Sequence, residues 1–266
     1  MAIVVFMPED AFETPLGWRQ LKRRFAMISR LGYDGVELLI ENPRGVDVEK
    51  LKRLAESCNL EIPAIGTGPT YLRYGLSFVD LNQKIRRAAV KRVKNYLTLA
   101  SKLNALVIIG LIRGKIGADA SYKRAWRRVK HCLSKCALDA EDFGVMMALE
   151  PINRYETNII NTVDEASQMV DELQSDQVKV MADTFHMNIE EASIAEALLR
   201  AWERLIHVHV ADSNRLAPGM GHLNFSEIIS TLKAIKYNGY VSAEILLRPS
   251  FPIAAQKTIE YLMKMF

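Results

Sequence analysis

A regular alternation of two kinds of segment along the 266 residues is the feature that most constrains the fold. Short apolar runs rich in β-branched residues are typical of buried parallel strands. Longer segments between them repeat their apolar residues at helical spacing. The strand-like runs are residues 2–6, 35–39, 61–65, 105–110, 145–150, 178–183, 206–210 and 240–246, and the helical segments are residues 18–31, 47–58, 81–103, 121–143, 162–173, 194–204, 226–235 and 253–265. Eight strand–helix units in strict alternation predict a parallel sheet.

The length of the chain favours a closed barrel over an open sheet. Eight units in 266 residues leave about 33 residues for each unit, and a (β/α)8 barrel takes about 250 residues. The sequence contains no linker, composition break or low-complexity tract between the units. We therefore expect an α/β protein with a single (β/α)8 TIM-barrel domain over residues 1–266. In this fold the active site lies at the C-terminal ends of the strands.

Composition and charge exclude several other classes of protein. The chain carries 35 basic and 31 acidic residues, a net charge of +4 that is too balanced to indicate nucleic-acid binding by itself. The basic run at residues 123–130 lies on a predicted helix, and we interpret it as a solvated outer face. Three irregularly spaced cysteines (Cys58, Cys132 and Cys136) are typical of a reducing compartment, and no apolar stretch approaches the roughly 18 residues of a membrane helix. We expect a cytoplasmic protein whose partners are neither nucleic acid nor membrane.

Polar residues end four of the later apolar runs. Glu150, Asp183, His209 and Glu244 are separated by 33, 26 and 35 residues, about one strand–helix unit each. In a barrel they would lie on the adjacent strands five to eight, at the mouth that carries the active site. A set of two Glu, one Asp and one His suits Mn²⁺, Co²⁺, Mg²⁺ or Zn²⁺ better than it suits a structural zinc site.

These residues also have a simpler interpretation. An acidic residue after a strand is often the N-cap of the next helix, and Asp183, which precedes Thr184, fits that role. Four such residues in the same phase are harder to explain by capping, which favours a shared site. His207 and His209 lie on one face of a strand because side chains alternate. His209 is nearer the mouth and is the better ligand candidate, whereas we interpret His207 as a buried, hydrogen-bonded residue.

Longer stretches around these residues resemble the ketose 3-epimerases of the xylose-isomerase-like (β/α)8 superfamily. The stretches are ALEPINRYETNIINT (148–162), MADTFHMNIEE (181–191), HVHVADSNRLAPGMGHLNF (207–225) and VSAEI (241–245), with GYDGVELL (32–39) and LVIIG (106–110) earlier in the chain. The resemblance covers essentially the whole chain. Enzymes of this kind invert C3 of D-tagatose, of D-fructose or D-allulose, or of L-ribulose.

The resemblance implies a role for each matching residue. Four residues would bind one divalent metal ion, with Mn²⁺ expected before Co²⁺, Mg²⁺ or Zn²⁺: Glu150, Asp183, His209 and Glu244. Glu150 and Glu244 would also be the acid–base pair that moves a C3 proton through a cis-enediolate. Glu156, His186 and Arg215 would hold the sugar hydroxyls and carbonyl oxygen near C1 to C3. The resemblance also implies a homodimer or homotetramer.

The stretches after the predicted third and fourth strands match less well. They read IGTGPTYLRYGLSF (65–78) and IIGLIRGKIG (108–117), where the commoner ketose epimerases have other residues. This pattern is similar to the branch that contains 5-keto-L-gluconate epimerase, whose substrate is a keto sugar acid. An Arg can bind a carboxylate through two hydrogen bonds, so Arg73 and Arg113 are candidates for binding a sugar acid, with solvent-exposed loop positions as the alternative. Gly66 is a further candidate for substrate contact.

Other functions remain open at this level. An aldose–ketose isomerase of the hydroxypyruvate- or xylose-isomerase-like type would use the same metal site to move a proton between C1 and C2, and a dehydratase of inososes is a variant of it. Endonuclease IV shares the scaffold but needs a three-metal cluster with many His ligands, and this chain has five His. A sugar-binding barrel without catalysis is a further alternative, which an intact acid–base pair disfavours.

Overall fold

The computed structural model of the chain describes residues 1–7, 11–12, 14–117 and 121–266. Eight parallel strands pair in sequence order and close into a barrel, with the first strand hydrogen-bonded to the last. The strands are β1 (Ala2–Met7), β2 (Gly35–Ile40), β3 (Ala64–Gly66), β4 (Leu106–Ile109), β5 (Met147–Leu149), β6 (Val178–Asp183), β7 (Leu205–Val210) and β8 (Tyr240–Ala243). The predicted (β/α)8 barrel is confirmed.

Ten α-helices lie among the described residues. They are α1 (Pro15–Arg30), α2 (Val48–Ser57), α3 (Gly68–Tyr74), α4 (Gln83–Leu103), α5 (Tyr122–Phe143), α6 (Val163–Leu173), α7 (Thr184–Glu190), α8 (Ile194–Ala201), α9 (Phe225–Ala234) and α10 (Phe251–Leu262). Eight of them match the predicted segments to within three residues at each end. The other two, α3 and α7, have seven residues each, too few to produce a periodic pattern, and each begins close to the C-terminal end of a strand.

Two strands end one residue before a predicted site residue. The structure ends β5 at Leu149 and β8 at Ala243, so Glu150 and Glu244 lie just beyond the paired part of the barrel. Pro151 follows Glu150 and has no N–H with which to continue the ladder. Both carboxylates therefore emerge at the mouth.

A register shift between β6 and β7 aligns two further site residues. Val180 pairs with Leu205, but Met181 pairs with His207, so β7 carries one extra residue at this point. Bulges of this kind redirect side chains next to active sites. As a result Asp183 lies directly opposite His209.

The core lies mainly between the barrel and the surrounding helices. A smaller cluster of buried apolar side chains comes from β3 to β6 alone: Ala64, Ile108, Ala148 and Met181. Cys132 and Cys136 are unpaired and buried in α5, and Cys58 is unpaired and partly exposed. None of the described helices is long and apolar enough to span a membrane.

Candidate active site

The four residues expected to bind a metal lie together at the mouth of the barrel. One ligand atom from each of Glu150, Asp183, His209 and Glu244 lies within 4.8 Å of the other three. His209 Nδ1 is 3.7 Å from Asp183 Oδ2, 3.6 Å from Glu244 Oε2 and 3.9 Å from Glu150 Oε1. These distances are too long for hydrogen bonds. They suit donors to one shared cation, because atoms about 2.0–2.2 Å from a metal lie roughly 3–4 Å from each other.

Two of these atoms give independent support for a cation. Asp183 Oδ2 and His209 Nδ1 are buried, and neither has a hydrogen-bond partner in the described part of the chain. Buried polar atoms are nearly always paired, so an ion between these two would satisfy both. Three carboxylates and one imidazole fit a divalent cation of the Mg²⁺, Mn²⁺, Co²⁺ or Zn²⁺ group.

Asp183 also caps a helix with its other oxygen. Oδ1 accepts hydrogen bonds from the backbone N–H groups of Phe185 (2.7 Å) and His186 (3.4 Å), as the N-cap of α7. The capping interpretation from the sequence is therefore confirmed. It does not compete with metal binding, because a carboxylate has two oxygens and only one of them is used.

A residue that the sequence reasoning missed, Glu37, holds His209 from behind. Glu37 lies in the middle of β2 and is fully buried, with an exposed fraction of 0%. Its carboxylate is 2.9 and 3.0 Å from His209 Nε2 and 2.8 Å from His207 Nε2. Since a carboxylate only accepts, His209 carries a proton on Nε2, and a cation that displaces any second proton would bind the Nδ1 lone pair. A charged residue inside the otherwise apolar run GVELLI was the available signal.

The same contacts favour the charged form of the buried Glu37 carboxyl group. Burial opposes a charge on Glu37, but the neighbouring His209 and His207 hold the pKa of its carboxyl well below the usual range. Burial lowers the pKa of His207, which favours its neutral form. The expectation that His207 is buried and hydrogen-bonded is confirmed.

The two carboxylates of the expected acid–base pair have different surroundings. Burial, followed by the charge of Glu244, raises the pKa of Glu150 to about 8. Burial acts on Glu244 in the same direction, but the positive charges of His209 and Arg215 outweigh it and hold the pKa of Glu244 below its usual value. Two carboxyl groups whose surroundings separate their pKa values are typical of acid–base catalysis. A bound cation would favour the carboxylate form of both.

Arg215 connects two of the carboxylates. Its Nη2 donates to Glu244 Oε2 (2.9 Å) and its Nη1 donates to Glu156 Oε1 (3.1 Å). The guanidinium also lies over the ring of Phe185, 4.8 Å from the ring centroid. These three contacts hold a fixed positive charge beside the ligand cluster, by which we mean Glu150, Asp183, His209 and Glu244.

A buried carboxylate, Asp212, shapes the loop that carries Arg215. Asp212 accepts hydrogen bonds from the backbone N–H groups of Ser213, Gly219 and Leu223. Arg215 has a φ of +59°, which residues other than glycine seldom adopt. Its N–H donates to the Asp212 carbonyl at 2.8 Å, which holds this conformation. Strained backbone of this kind is often found at functional sites.

The remaining expected substrate contacts lie on the same side of the mouth. His186, on α7, has its Nε2 atom 3.9 Å from Glu150 Oε1 and 3.9 Å from Asp183 Oδ2. Asn153 Nδ2 is 2.7 Å from His186 Nδ1 and 2.9 Å from Glu156 Oε1. The structure thus brings Glu156, His186 and Arg215 together around the ligand cluster.

A cavity of about 650 Å³ lies at the mouth, and one wall of it is formed by Glu150, Glu156, His186, His209, Arg215 and Glu244. The opposite wall comes from β1 to β4 and the segments that follow them. It is mostly apolar, with Phe6, Leu39, Leu72, Ile108 and Leu111. Two other sequence candidates, Gly66 and Arg73, also line this cavity.

Close packing explains two glycines of the cavity. A Cβ atom on Gly66 would lie 2.3 Å from Leu39 Cδ2, and a Cβ atom on Gly110 would lie 2.3 Å from Glu150 Oε2. Both distances are far below van der Waals contact. A side chain at Gly110 would therefore displace the Glu150 carboxylate.

Arg113 does not reach the cavity, contrary to expectation. Its side chain is only 1% exposed, and its guanidinium donates to the backbone carbonyls of Ile109 (3.1 Å), Gly110 (3.2 Å), Ile160 (3.2 Å) and Glu150. The prediction that it binds a substrate carboxylate is wrong, because the side chain is buried away from the cavity and these carbonyls use its Nη1 and Nη2 donors. Arg113 instead joins the segments that follow β4 and β5.

Two further histidines and Arg154 lie outside this group of residues. His131 is exposed on α5, and His222 is exposed in the segment between β7 and α9. Arg154 pairs with Glu190 at 2.8 Å, and Glu156 pairs with Arg215.

The fold and this cluster together define a class of protein, a (β/α)8 barrel whose mouth presents a carboxylate–histidine set for a divalent cation. A family model described as xylose isomerase-like TIM barrel matches residues 25–265. The chain therefore belongs to the xylose isomerase-like TIM barrel family.

Individual relatives within the family are sugar epimerases. D-psicose 3-epimerase of Enterocloster bolteae is 33% identical over 240 residues, which cover 86% of this chain and 78% of the relative. The 3-dehydro-D-guloside 4-epimerase of Escherichia coli is 28% identical over 264 residues, which cover 95% of this chain and 93% of the relative. The crystal structure of D-psicose 3-epimerase with D-tagatose from Clostridium cellulolyticum has a TM-score of 0.84 and 26% identity, covering 99% of this chain and 97% of that one. The resemblance to ketose 3-epimerases is confirmed, and the chain is an enzyme of the isomerase class.

Proposed function

We propose that this enzyme is a metal-dependent epimerase that inverts C3 of a free ketose of the D-tagatose, D-fructose/D-allulose or L-ribulose type. The observation that carries the proposal is the pair of carboxylates Glu150 and Glu244, which face one cavity and share a cluster with Asp183 and His209. The related D-psicose 3-epimerase supports the same reaction type. From the same resemblance we propose a homodimer or homotetramer.

Four residues would hold the metal ion: Glu150, Asp183, His209 and Glu244. A divalent cation there, Mn²⁺ before Co²⁺, Mg²⁺ or Zn²⁺, would supply Lewis-acid stabilisation of negative charge on a carbonyl oxygen. The protein orients His209 through Glu37 and Asp183 through the capping of α7. Each of these two donors therefore has a fixed direction before the ion arrives.

Inversion at C3 requires that a proton leaves one face of the carbon and returns to the other. One carboxylate takes the C3 proton, the C–H electron pair passes into the enediolate, and the second carboxyl group returns a proton on the opposite face. Glu150 and Glu244 exchange roles in the reverse direction. Each turnover leaves the pair with its proton on the other residue, so exchange with solvent resets it.

The surrounding residues would bind the sugar and stabilise the developing charge. Arg215 offers a fixed positive charge beside Glu244, and donors placed where charge develops are among the strongest contributions to catalysis. Glu156 accepts hydrogen bonds and suits a sugar hydroxyl. Exclusion of water by the apolar wall would strengthen these interactions.

The test is a product analysis in D₂O with Mn²⁺ and each candidate ketose. We expect recovery of the C3 epimer with deuterium at C3. Glu244→Gln should abolish both epimerisation and exchange, whereas Glu41→Gln, which also removes a carboxylate that lines the cavity, should retain both. Full activity of Glu244→Gln with unchanged metal dependence would contradict the mechanism. An aldose as the sole product would instead identify an aldose–ketose isomerase.

A keto sugar acid such as 5-keto-L-gluconate is the second candidate substrate. Arg73 is exposed, lines the cavity opposite Arg215, and makes no ion pair with any described carboxylate. The related 4-epimerase from Escherichia coli supports substrates beyond free ketoses. Arg73→Met should lower kcat/KM for a keto sugar acid by about tenfold or more, the effect of losing a charged hydrogen bond. Activity on free ketoses should stay unchanged in this variant if the pairing with a carboxylate is correct.

A further inference from the structure

A buried asparagine connects two of the groups proposed to bind substrate. Asn153 lies between β5 and α6, and its side chain is only 1% exposed. Its Oδ1 accepts a hydrogen bond from the backbone N–H of Tyr155 at 3.0 Å. Its Nδ2 lies 2.9 Å from Glu156 Oε1 and 2.7 Å from His186 Nδ1.

These contacts determine the orientation of the amide. An N–H donor faces Oδ1, and a carboxylate, which only accepts, faces Nδ2, so the amide cannot be rotated by 180° without losing both bonds. The Nδ2 group has two hydrogens. One is directed to Glu156 and the other to His186 Nδ1.

The contact then determines where His186 carries its proton. Because Asn153 donates to Nδ1, that atom must be the acceptor, and in a neutral imidazole the proton lies on Nε2. His186 Nε2 faces the cavity and lies 3.9 Å from both Glu150 Oε1 and Asp183 Oδ2. The opposite tautomer would direct a lone pair towards these two carboxylates.

We propose that Asn153 is a positioning residue that holds His186 with Nδ1 as an acceptor and the proton on Nε2, so that His186 acts as a hydrogen-bond donor to a substrate oxygen and not as a base. The inference rests on the proposed function, which supplies the oxygen that gains charge beside His186. The same amide fixes Glu156, so one residue sets the direction of two groups. With His186 as a hydrogen-bond donor, proton transfer is left to Glu150 and Glu244.

The first test is a ¹H–¹⁵N NMR spectrum of the imidazole nitrogens in the Mg²⁺-loaded enzyme, with the His186 signals assigned by their loss in His186→Gln. We expect an unprotonated Nδ1 and a protonated Nε2. Asn153→Asp is nearly isosteric but presents only acceptors, so His186 Nδ1 should become protonated. Asn153→Ala removes the donor and should give a mixture of both tautomers.

The matched control is Asn161→Asp in the same loop. Asn161 Nδ2 donates to the carbonyls of Ile152 (2.6 Å) and Thr157 (3.1 Å) and does not contact His186. This variant disturbs the loop to a similar degree but should keep the wild-type His186 signals. A change in the His186 tautomer in Asn161→Asp as well would show that loop integrity, and not the Asn153 donor, sets the proton.

Kinetics provide the second readout. Loss of one donor to a developing oxyanion lowers kcat by about 10²–10³-fold, and we expect this for Asn153→Asp with a much smaller change in KM. Protonated Nδ1 in the wild-type enzyme, or unprotonated Nδ1 in Asn153→Asp, would overturn the inference. The expected NMR result without any ketose epimerisation would leave the tautomer assignment intact and count against the proposed function alone.

Discussion

At the mouth of the barrel, the carboxylates of Asp183 and Glu37 each have two roles. Asp183 caps α7 with Oδ1 and leaves Oδ2 for a cation, and Glu37 accepts from both His207 and His209. Asp183 could be found from the sequence because it ends an apolar run. Glu37 could not be assigned in the same way, because its partner lies 172 residues away.

Removal of the charge on Glu37 should weaken metal binding without removing a ligand. Glu37→Gln weakens the acceptor of the His209 Nε2–H, and changes of this kind typically cost about 10–100-fold in metal affinity. Titration calorimetry with Mn²⁺ measures the dissociation constant directly. Glu41→Gln makes the same change of charge just beyond the same strand and should bind Mn²⁺ as the wild type does. Equal affinity in both variants would mean that Glu37 does not orient His209.

At the scale of elements, the short helices α3 and α7 and the buried Arg113 shape the cavity. The segments that carry them show no helical periodicity in the sequence. The helix α3 brings Leu72 and Arg73 to one wall, and α7 brings His186 to the other. Arg113 ties the segments after β4 and β5 together through backbone carbonyls. Sequence reasoning placed Arg113 in the right segment, but packing turned its side chain inwards.

Two variants of Asp183 distinguish its role as the N-cap of α7 from its proposed role as a metal ligand. Asn is as good an N-cap as Asp, whereas Ala costs about 1 kcal/mol. We expect Asp183→Ala to unfold at lower urea concentration than Asp183→Asn when both are measured in EDTA. Both variants should bind Mn²⁺ weakly, because each lacks the ligand carboxylate. Identical unfolding of the two would argue against a stabilising cap.

Arg113 should matter for stability and not for substrate choice. Arg113→Met removes four buried hydrogen bonds from a charged donor, and at about 1.5–3 kcal/mol for each such bond we expect a loss of at least about 3 kcal/mol in the free energy of unfolding. Arg73→Met is the matched variant on an exposed helix position and should change stability by less than about 0.5 kcal/mol. Urea unfolding followed by circular dichroism measures both. A stable Arg113→Met variant with altered substrate preference would reverse the assignment.

At the scale of the whole molecule, the site joins elements from opposite sides of the barrel. Glu37 comes from β2, and the histidines it binds come from β7. Three carboxylates meet at one point, where they repel each other unless a cation lies between them. Metal binding should therefore stabilise the entire barrel and not only its mouth.

Thermal unfolding with and without metal tests this coupling. At a concentration of 100 times its dissociation constant, Mn²⁺ should add about 2.7 kcal/mol to the free energy of unfolding. For a domain of this size that corresponds to a rise in Tm of about 5–11 °C, and EDTA should reverse it. Asp183→Asn, which lacks one ligand, should show little of the rise. An equal rise in this variant would place the stabilising cation elsewhere.

The sequence by itself determined the barrel and the residues at its mouth. Strand and helix periods are local properties, and the closed barrel places the end of every strand at one mouth, so a spacing of about one unit was enough to predict that Glu150, Asp183, His209 and Glu244 meet. Only the tertiary structure decided the contacts of Glu37, Arg113 and Asn153. Each of these residues is buried, and the histidines that Glu37 and Asn153 contact lie far along the chain. Local sequence pattern determines which element a residue belongs to, whereas packing between elements determines what a buried polar group meets.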